Sequence, residues 1–271
     1  MVSSPEPMDV RGKTVIVTGA GADGSGRAIS RRFASDGANV VVSDINESGG
    51  RETVRQIESS GGRAAFCAAD VREEEQVRNL IAFAERTFGG LSVMVNNASG
   101  PDVRHDEPLE YWADNFPTDV FGTMYGTRLA IDAMRRSGGG AIVNMTSITG
   151  LWHGRHNPVP GYDLAKAAII RLTTLLAWLG EKENIRVNCL APGWIAAEQV
   201  RKYWESLTPE QRVERRVPAR LLALDEVAAA VFRLATDHTL AGRVLVWWSE
   251  DSPGLIPWGD RGYAALTDYP L

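Results

Sequence analysis

The sequence predicts an α/β fold, a doubly wound parallel sheet of seven strands with helices on both faces. Three observations predict it. Short β-branched apolar runs alternate with helix-like segments along most of the 271 residues, as in repeated β-α-β units. The runs are apolar without alternation, the pattern of strands buried on both faces. A glycine-rich turn follows the first run and opens a helical segment, where sheets of this kind bind ligands.

Residues 13–18 are the first strand, and the glycine-rich turn leads into a helix over 27–36. The Val-rich run 39–43 is the second strand. Helix-like 46–60 stops at Gly61-Gly62, a C-terminal signal. Residues 64–67 make a weak third strand. In 73–88, Val77, Leu80, Ile81 and Ala84 fall on one stripe of an amphipathic helix. The fourth strand is 91–95. A polar loop with Pro101 and Pro108 leads to a long helix over 109–136, broken by Gly138-Gly139-Gly140. Residues 141–145 are the fifth strand, 160–182 a long helix and 186–190 the sixth strand. One or two short helices fill 198–217, another helix spans 225–237, and 243–247 is the seventh strand. With no internal repeat or low-complexity linker, 1–271 reads as one domain. It has a flexible N-terminus at 1–10 and a tail at 249–271 rich in Pro, Gly and aromatics.

Apolar residues make up 44% and charged residues 23%, a composition typical of soluble globular chains. A net charge of −5 offers no pull on phosphate backbones, so no nucleic-acid partner is expected. No apolar run approaches the roughly 20 residues needed to span a bilayer, and 1–10 is too polar for a secretory signal. Cys67 and Cys189 lie in or beside apolar runs and read as two small buried thiols, which fits a reducing compartment. A cytoplasmic protein with no membrane partner is expected.

The chemistry centres on Tyr162-x-x-x-Lys166. Positions i and i+4 share a helix face, so phenol and ammonium can meet one ligand. A free tyrosine titrates near ~10 and is a poor base at neutral pH. A neighbouring lysine favours the phenolate and brings it into working range. Ser147, at the end of the fifth run, places a hydroxyl where a substrate oxygen can be held beside Tyr162. Alone this spacing is a weak signal, because both residues are common on helix surfaces.

After the first strand, the turn Thr18-Gly19-Ala20-Gly21-Ala22-Asp23-Gly24-Ser25-Gly26 lets a backbone approach closely. The following helix start offers free N–H groups to a pyrophosphate. Asp44, with Ile45 beside it, closes the second strand. A carboxylate there accepts from both ribose hydroxyls and repels a 2′-phosphate, and Asp23 adds to the repulsion. No Arg or Lys adjoins either position, so NAD is favoured over NADP. The plain alternative for Asp44 is a turn-capping aspartate.

Taken in order, the glycine turn, Asp44, Asp70-Val71, Asn96-Asn97-Ala98, Ser147, Tyr162 with Lys166, Asn188 and Pro192-Gly193 make the chain similar to the short-chain dehydrogenase/reductases over about 10–248. The resemblance implies a Rossmann-like fold. It implies that Gly19, Gly24, Ser25 and Gly26 hold the dinucleotide with Asp44 and Ile45, and that Asp70 and Val71 meet adenine. It places Asn97, Ala98 and Ser99 along the nucleotide and the backbone of Pro192, Gly193 and Ile195 against the nicotinamide. Ser147, Tyr162 and Lys166 take the positions of the catalytic set, with Lys166 also holding the nicotinamide ribose.

The chain departs from the family pattern at several places. One extra residue separates Gly19 from Gly24, Ser25 stands for an apolar residue, and Ser99 stands for glycine. Counting from Trp112 to Gly122 puts Asp119 where the family has a catalytic asparagine. Ionised, it is acceptor-only; it either holds a relay water or pairs directly with Lys166, partly neutralising it, and the relay role is the working hypothesis. Pro117 nearby disturbs that helix. Ala197 replaces a threonine, and Trp248-Ser249-Glu250 replaces a glycine pair.

His153-x-x-His156 has no third partner at metal spacing, so no metal is expected. Trp152, Trp194 and Trp204 fall in the substrate loops of the family, pointing to a bulky or aromatic substrate or to plain loop packing. Arg212, Arg215, Arg216 and Arg220 read as a solvated helix face before an anion anchor. The helix through 165–179 is apolar almost all round and needs cover on both sides, which predicts a homodimer or homotetramer. The expected function is an NAD-dependent oxidoreductase interconverting a secondary alcohol and a ketone. The alternatives are a catalytically silent NAD(P)-sensing protein on the same fold and an NADPH-dependent carbonyl reductase.

Overall fold

The computed structural model describes residues 7–100, 109–151 and 160–257. The strands are β1 (Thr14–Thr18), β2 (Asn39–Asp44), β3 (Arg63–Ala68), β4 (Val93–Asn96), β5 (Gly140–Met145), β6 (Ile185–Pro192), β7 (Val244–Trp247) and β8 (Gly254–Leu255). They form one sheet in the order β3-β2-β1-β4-β5-β6-β7-β8. Every pairing through β7 is parallel. The strand order reverses between β1 and β4, the place where sheets of this kind bind ligands at their carboxyl ends.

The α-helices among the described residues are α1 (Ser25–Ser35), α2 (Glu47–Ser59), α3 (Glu74–Phe88), α4 (Thr123–Ser137), α5 (Pro160–Leu175), α6 (Trp178–Glu183), α7 (Glu198–Glu205), α8 (Pro209–Glu214) and α9 (Leu224–Thr236). The pleat sends Val15 and Val17 to one face, against Phe33 of α1, Ile57 of α2 and Val231 of α9. Ile16 goes to the other face, against Leu80 of α3, Met134 of α4 and Leu179 of α6. This double burial is why the strands carry no polar alternation.

The structure corrects four expectations. The sheet has eight strands, because residues 254–255 turn back antiparallel on β7; a two-residue strand is too short to show in the sequence. The helix expected over 160–182 is two helices. Leu176 and Ala177 N–H groups bond three residues back, to Thr173 and Thr174 carbonyls, and this tighter turn separates α5 from α6. The helix expected over 109–136 is three segments: a 3-10 turn at Leu109–Ala113, a wide π turn at Phe116–Gly122 with Pro117 in its first turn, and α4. Residues 8–10, expected in a flexible terminus, are docked: Met8 N–H donates to Thr236 O at 2.8 Å and Val10 is buried. Burial of Val10 anchors this short described stretch. Segments 101–108, 152–159 and 258–271 lie outside the described residues.

One buried polar cluster ties sheet to helices. Asn96 of β4 donates to Asn144 Oδ1 of β5 at 2.8 Å and to Thr127 Oγ1 of α4 at 3.1 Å. Asn144 donates to Thr173 Oγ1 of α5 at 3.1 Å. Gly126 lets α4 come this close, since a Cβ there would lie 2.0 Å from Asn96 Oδ1. Among the described residues no helix is long and apolar enough to cross a membrane.

Candidate active site

The glycine turn is built by close approach. Gly19 adopts a left-handed φ of +65°, and a Cβ on Gly26 would lie 2.2 Å from Gly19 O. Asn97, at the end of β4, donates to Thr18 O at 2.9 Å and Gly19 O at 3.1 Å. Ser25 Oγ donates to Asn97 Oδ1 at 2.7 Å, so the hydroxyl that replaces an apolar residue ties the helix start to β4. Thr18 Oγ1 accepts from the Asn97 and Ala98 N–H groups at 3.1 and 3.2 Å. The α1 N-cap, Gly24, offers no side-chain cap, and nothing stands within 4 Å of where its Cβ would be. A helix start without a side-chain cap suits a pyrophosphate. A dinucleotide therefore fits the residues present.

The extra residue of the turn is absorbed outward, against α2. A Cβ on Gly49 would lie 2.0 Å from Gly21 O, so the bulge rests on a helix with no side chain at that point. Asp44 Oδ2 accepts from Gly21 N–H at 2.7 Å and Oδ1 from Asn46 N–H at 2.8 Å. Asp44 is thus a turn-capping aspartate as well as a ribose candidate, with Ile45 exposed beside it. Sequence adjacency showed no cation here, but the first turn of α1 brings one. Arg27 donates to Gly21 O at 3.1 Å and Thr53 Oγ1 at 2.9 Å, and lies 3.5 Å from Asp23. Its charge is therefore partnered within the turn.

Where the resemblance implies adenine contacts, Val71 is buried against Gly122. The Asp70 carboxylate accepts two bonds from Arg72 Nε at 2.9 Å each and one from Nη2 at 2.5 Å. That guanidinium holds the Asp70 carboxyl below the usual carboxylate range.

Lys166 is buried on α5 at the end of β5, and Thr146 Oγ1 donates to its carbonyl at 2.7 Å, fixing the strand end that carries Ser147. Ser147 is buried and its Oγ accepts from Thr149 N–H at 3.2 Å. The Lys166 ammonium lies 5.1 Å from the Tyr162 ring centroid. It donates to Asp119 Oδ1 at 2.6 Å and to Met145 O at 3.4 Å. Asp119 thus pairs with Lys166 directly. The carboxylate is fully buried and takes two more donors, Ser99 Oγ on Oδ1 at 2.7 Å and Gly100 N–H on Oδ2 at 2.9 Å. Burial acts most strongly on Lys166, pulling it down. The charges of Tyr162 and Asp119 and the Asp119 hydrogen bond outweigh that and leave it above its ordinary value.

The segment expected to meet the nicotinamide leaves β6 at Pro192. Gly193 N–H donates to Trp247 O at 2.7 Å, Trp194 N–H to Ser249 Oγ at 2.8 Å, and Ile195 bridges to Leu222. Ser249 is buried and a Cβ on Gly193 would lie 2.6 Å from its Oγ. Trp194 stacks on Tyr203 of α7, centroids 6.1 Å apart. Trp204, also on α7, instead packs locally, donating to Pro218 O with Arg212 over its ring. The arginines disperse: Arg212 binds Trp204 O, Arg215 reaches Tyr203 Oη and Arg220 pairs with Glu226. They do not converge on a single anchor. Trp152, His153 and His156 lie outside the described residues.

Sequence reasoning missed Arg27, Gly49, Thr53 and Ser249 as supports of the site. Only the replacement of a glycine pair by Trp248-Ser249-Glu250 signalled any of them.

A family model described as short chain dehydrogenase matches residues 13–208. The chain is 36% identical over 227 residues to a 7α-hydroxysteroid dehydrogenase of Escherichia coli (strain K12), covering 82% of this chain and 86% of that protein. It is 35% identical over 243 residues to glucose 1-dehydrogenase 2 of Bacillus subtilis (strain 168), covering 85% of this chain and 90% of that protein. A solved 7α-hydroxysteroid dehydrogenase complexed with NADH and 7-oxo glycochenodeoxycholic acid is similar with a TM-score of 0.77. Identity is 31%, over 88% of this chain and 93% of that one.

Proposed function

The chain belongs to the short-chain dehydrogenase/reductase family, and from that premise we propose that it interconverts a secondary alcohol and a ketone with NAD(H), through Ser147, Tyr162 and Lys166. It is an oxidoreductase of the alcohol/ketone kind, working with a nicotinamide cofactor on a small molecule. The observation that carries the reading is the buried Lys166 ammonium, 5.1 Å from the Tyr162 ring centroid at the carboxyl end of the sheet.

The dinucleotide is held by the uncapped start of α1, by Gly19, Gly24, Ser25 and Gly26, and by Asp44 at the adenosine ribose. Asp70, Val71, Asn97, Ala98 and Ser99 line its path, and Pro192, Gly193 and Ile195 back the nicotinamide. When bound, the nicotinamide accepts or supplies the hydride. Tyr162 Oη takes the alcohol proton in oxidation and returns it in reduction. Ser147 Oγ holds the substrate oxygen in line with it. Lys166 has three donors; Asp119 and Met145 O engage two, and the third is assigned to the nicotinamide ribose. Asp44 and Asp23 disfavour a 2′-phosphate, and the partnered state of Arg27 supports the same preference.

Trp194 stacked on Tyr203 supports a bulky ring as substrate, as do hydroxysteroid dehydrogenases among the relatives. Exposed Phe121, Met124, Leu164, Leu175 and Trp178 on and beside α4, α5 and α6 support a homodimer or homotetramer covering these helices. A cytoplasmic location is supported by the free thiols.

Two measurements test the reading. NADH and NADPH are titrated against the full chain, followed by tryptophan fluorescence; tighter NADPH binding sinks the Asp44 argument. Tyr162→Phe is expected to lose turnover and keep NADH binding. A second reading, a silent nucleotide-binding scaffold, is favoured by the direct Asp119–Lys166 contact. It prevails if NADH binds tightly and no secondary alcohol is turned over by the unaltered chain.

A further inference from the structure

We propose that Asp119, seated by Ser99 and Gly100, is a fixed counter-ion that holds back part of the positive charge Lys166 presents to Tyr162, with Ser99 as the positioning residue that limits how much. The proposal rests on Tyr162 and Lys166 being the acid–base pair.

The donor count at Asp119 argues for a carboxylate. Three donors converge on its two oxygens: Lys166 Nζ at 2.6 Å and Ser99 Oγ at 2.7 Å on Oδ1, and Gly100 N–H at 2.9 Å on Oδ2. An amide in this place would turn its own N–H2 toward the Gly100 N–H, donor against donor. A Cβ on Gly100 would stand 3.2 Å from Oδ2, so a larger residue there would press on the carboxylate. The pair is buried, where a fixed negative charge in contact with an ammonium is little screened. Ser99 shares Oδ1 with Lys166. Its hydroxyl draws on the same oxygen and so weakens the hold of Asp119 on the ammonium.

Few other charges interfere among the described residues. Of the elements packed against α5, β5, β7 and the 148–151 turn carry no titratable side chain, and Asp119 is the only one in the 116–122 turn. The 109–113 turn carries Glu110 and Tyr111; Tyr111 is exposed, as is Asp114 beside it. β6 carries Arg186 at its far end and Cys189, whose thiol is pushed up to about 12 by burial. On α5 itself Asp163 is half-buried and Arg171 exposed.

The test is the pH dependence of alcohol oxidation, kcat and kcat/KM, with NAD and the best alcohol from a screen. Wild type, Asp119→Asn, Ser99→Ala and Tyr162→Phe are compared as full chains. Asp119→Asn is expected to move the acidic limb down by about one pH unit, a rate gain of about tenfold on that limb. Ser99→Ala concentrates the carboxylate on Lys166 and is expected to move the limb the other way, by about half a unit, or threefold. Ser99 is exposed, so its variant is expected to fold even if Asp119→Asn does not. Opposite shifts support the proposal, because a merely structural role lowers rates without moving the limb. An unmoved limb in Ser99→Ala, or a shift to lower pH, overturns it, as does an unmoved or raised limb in folded Asp119→Asn. Turnover retained in Tyr162→Phe instead refutes the underlying acid–base reading.

Discussion

Gly49→Ala places one methyl group outside the nucleotide path and is expected to be felt inside it. The added Cβ would stand 2.0 Å from Gly21 O and 2.7 Å from Asn46 Nδ2. A carbon and a carbonyl oxygen ordinarily approach to about 3.3 Å, so the glycine turn has to retreat by about 1.3 Å. Overpacking of this kind costs roughly 1–3 kcal/mol. Alanine in place of glycine in a helix returns up to about 1 kcal/mol. The net loss is roughly 0–2 kcal/mol, and at about 2–4 °C per kcal/mol for a chain of this size the melting temperature falls by up to roughly 8 °C. The second effect is on binding. Gly21 is held by its N–H to Asp44 and by Arg27 on its carbonyl, so a displaced turn drags the Asp44 carboxylate, proposed to hold the ribose, with it. An NADH affinity about tenfold weaker, near 1.4 kcal/mol, is expected. Thermal unfolding and an NADH titration on the same preparation read both effects. A variant that melts at or above wild type and binds NADH equally well refutes the idea that the lengthened turn leans on α2.

Ser249→Ala removes the partner of the half-buried Trp194 N–H, a loss of about 0.5–1.5 kcal/mol. A rise of about tenfold in the KM for NAD with a smaller change in kcat is expected; an unchanged KM means the tail does not position the nicotinamide segment. Asp70 is held below its ordinary value by Arg72, and the sign follows from that depression. Its contribution to stability is complete above the unfolded value near ~4 and is lost as pH falls through the lower folded value. Asp70→Asn is therefore expected to lose stability at about pH 6 and to show a shallower fall in melting temperature below about pH 4, read by circular dichroism. Parallel melting curves against pH for the two proteins would count against the pairing.

The fold was legible where composition and local period agree. The runs that became β1, β2, β4, β5 and β6 are apolar because both faces are covered, and sequence shows that directly. Helix breaks were not legible at 176–177, where the chain merely tightens by one residue per bond among good helix formers. At the site, Lys166 and Asp119 were identified one by one, and their pairing was open because relay water and direct contact differ only in a side-chain reach. Asp44 was read as a ribose ligand with turn capping as the rival; the structure gives it the capping bonds, which are compatible with a remaining lone pair for a ribose. Ser99 looked like a mild substitution. Its bond to Asp119 spans 20 residues, and no local pattern encodes such a contact.

The cluster of Asn96, Thr127, Asn144 and Thr173 bears on how the sheet finds its alignment. Strands clothed in Val, Ile and Met on both sides have little to distinguish one alignment from a slip along the neighbour. Here Asn96 lies directly opposite Asn144, so one polar row bridges two central strands. Any slip strands at least one buried amide without a partner, at about 1–3 kcal/mol each. The row therefore works as a proofreading mark for parallel strands, checked only once β4, β5, α4 and α5 have all arrived.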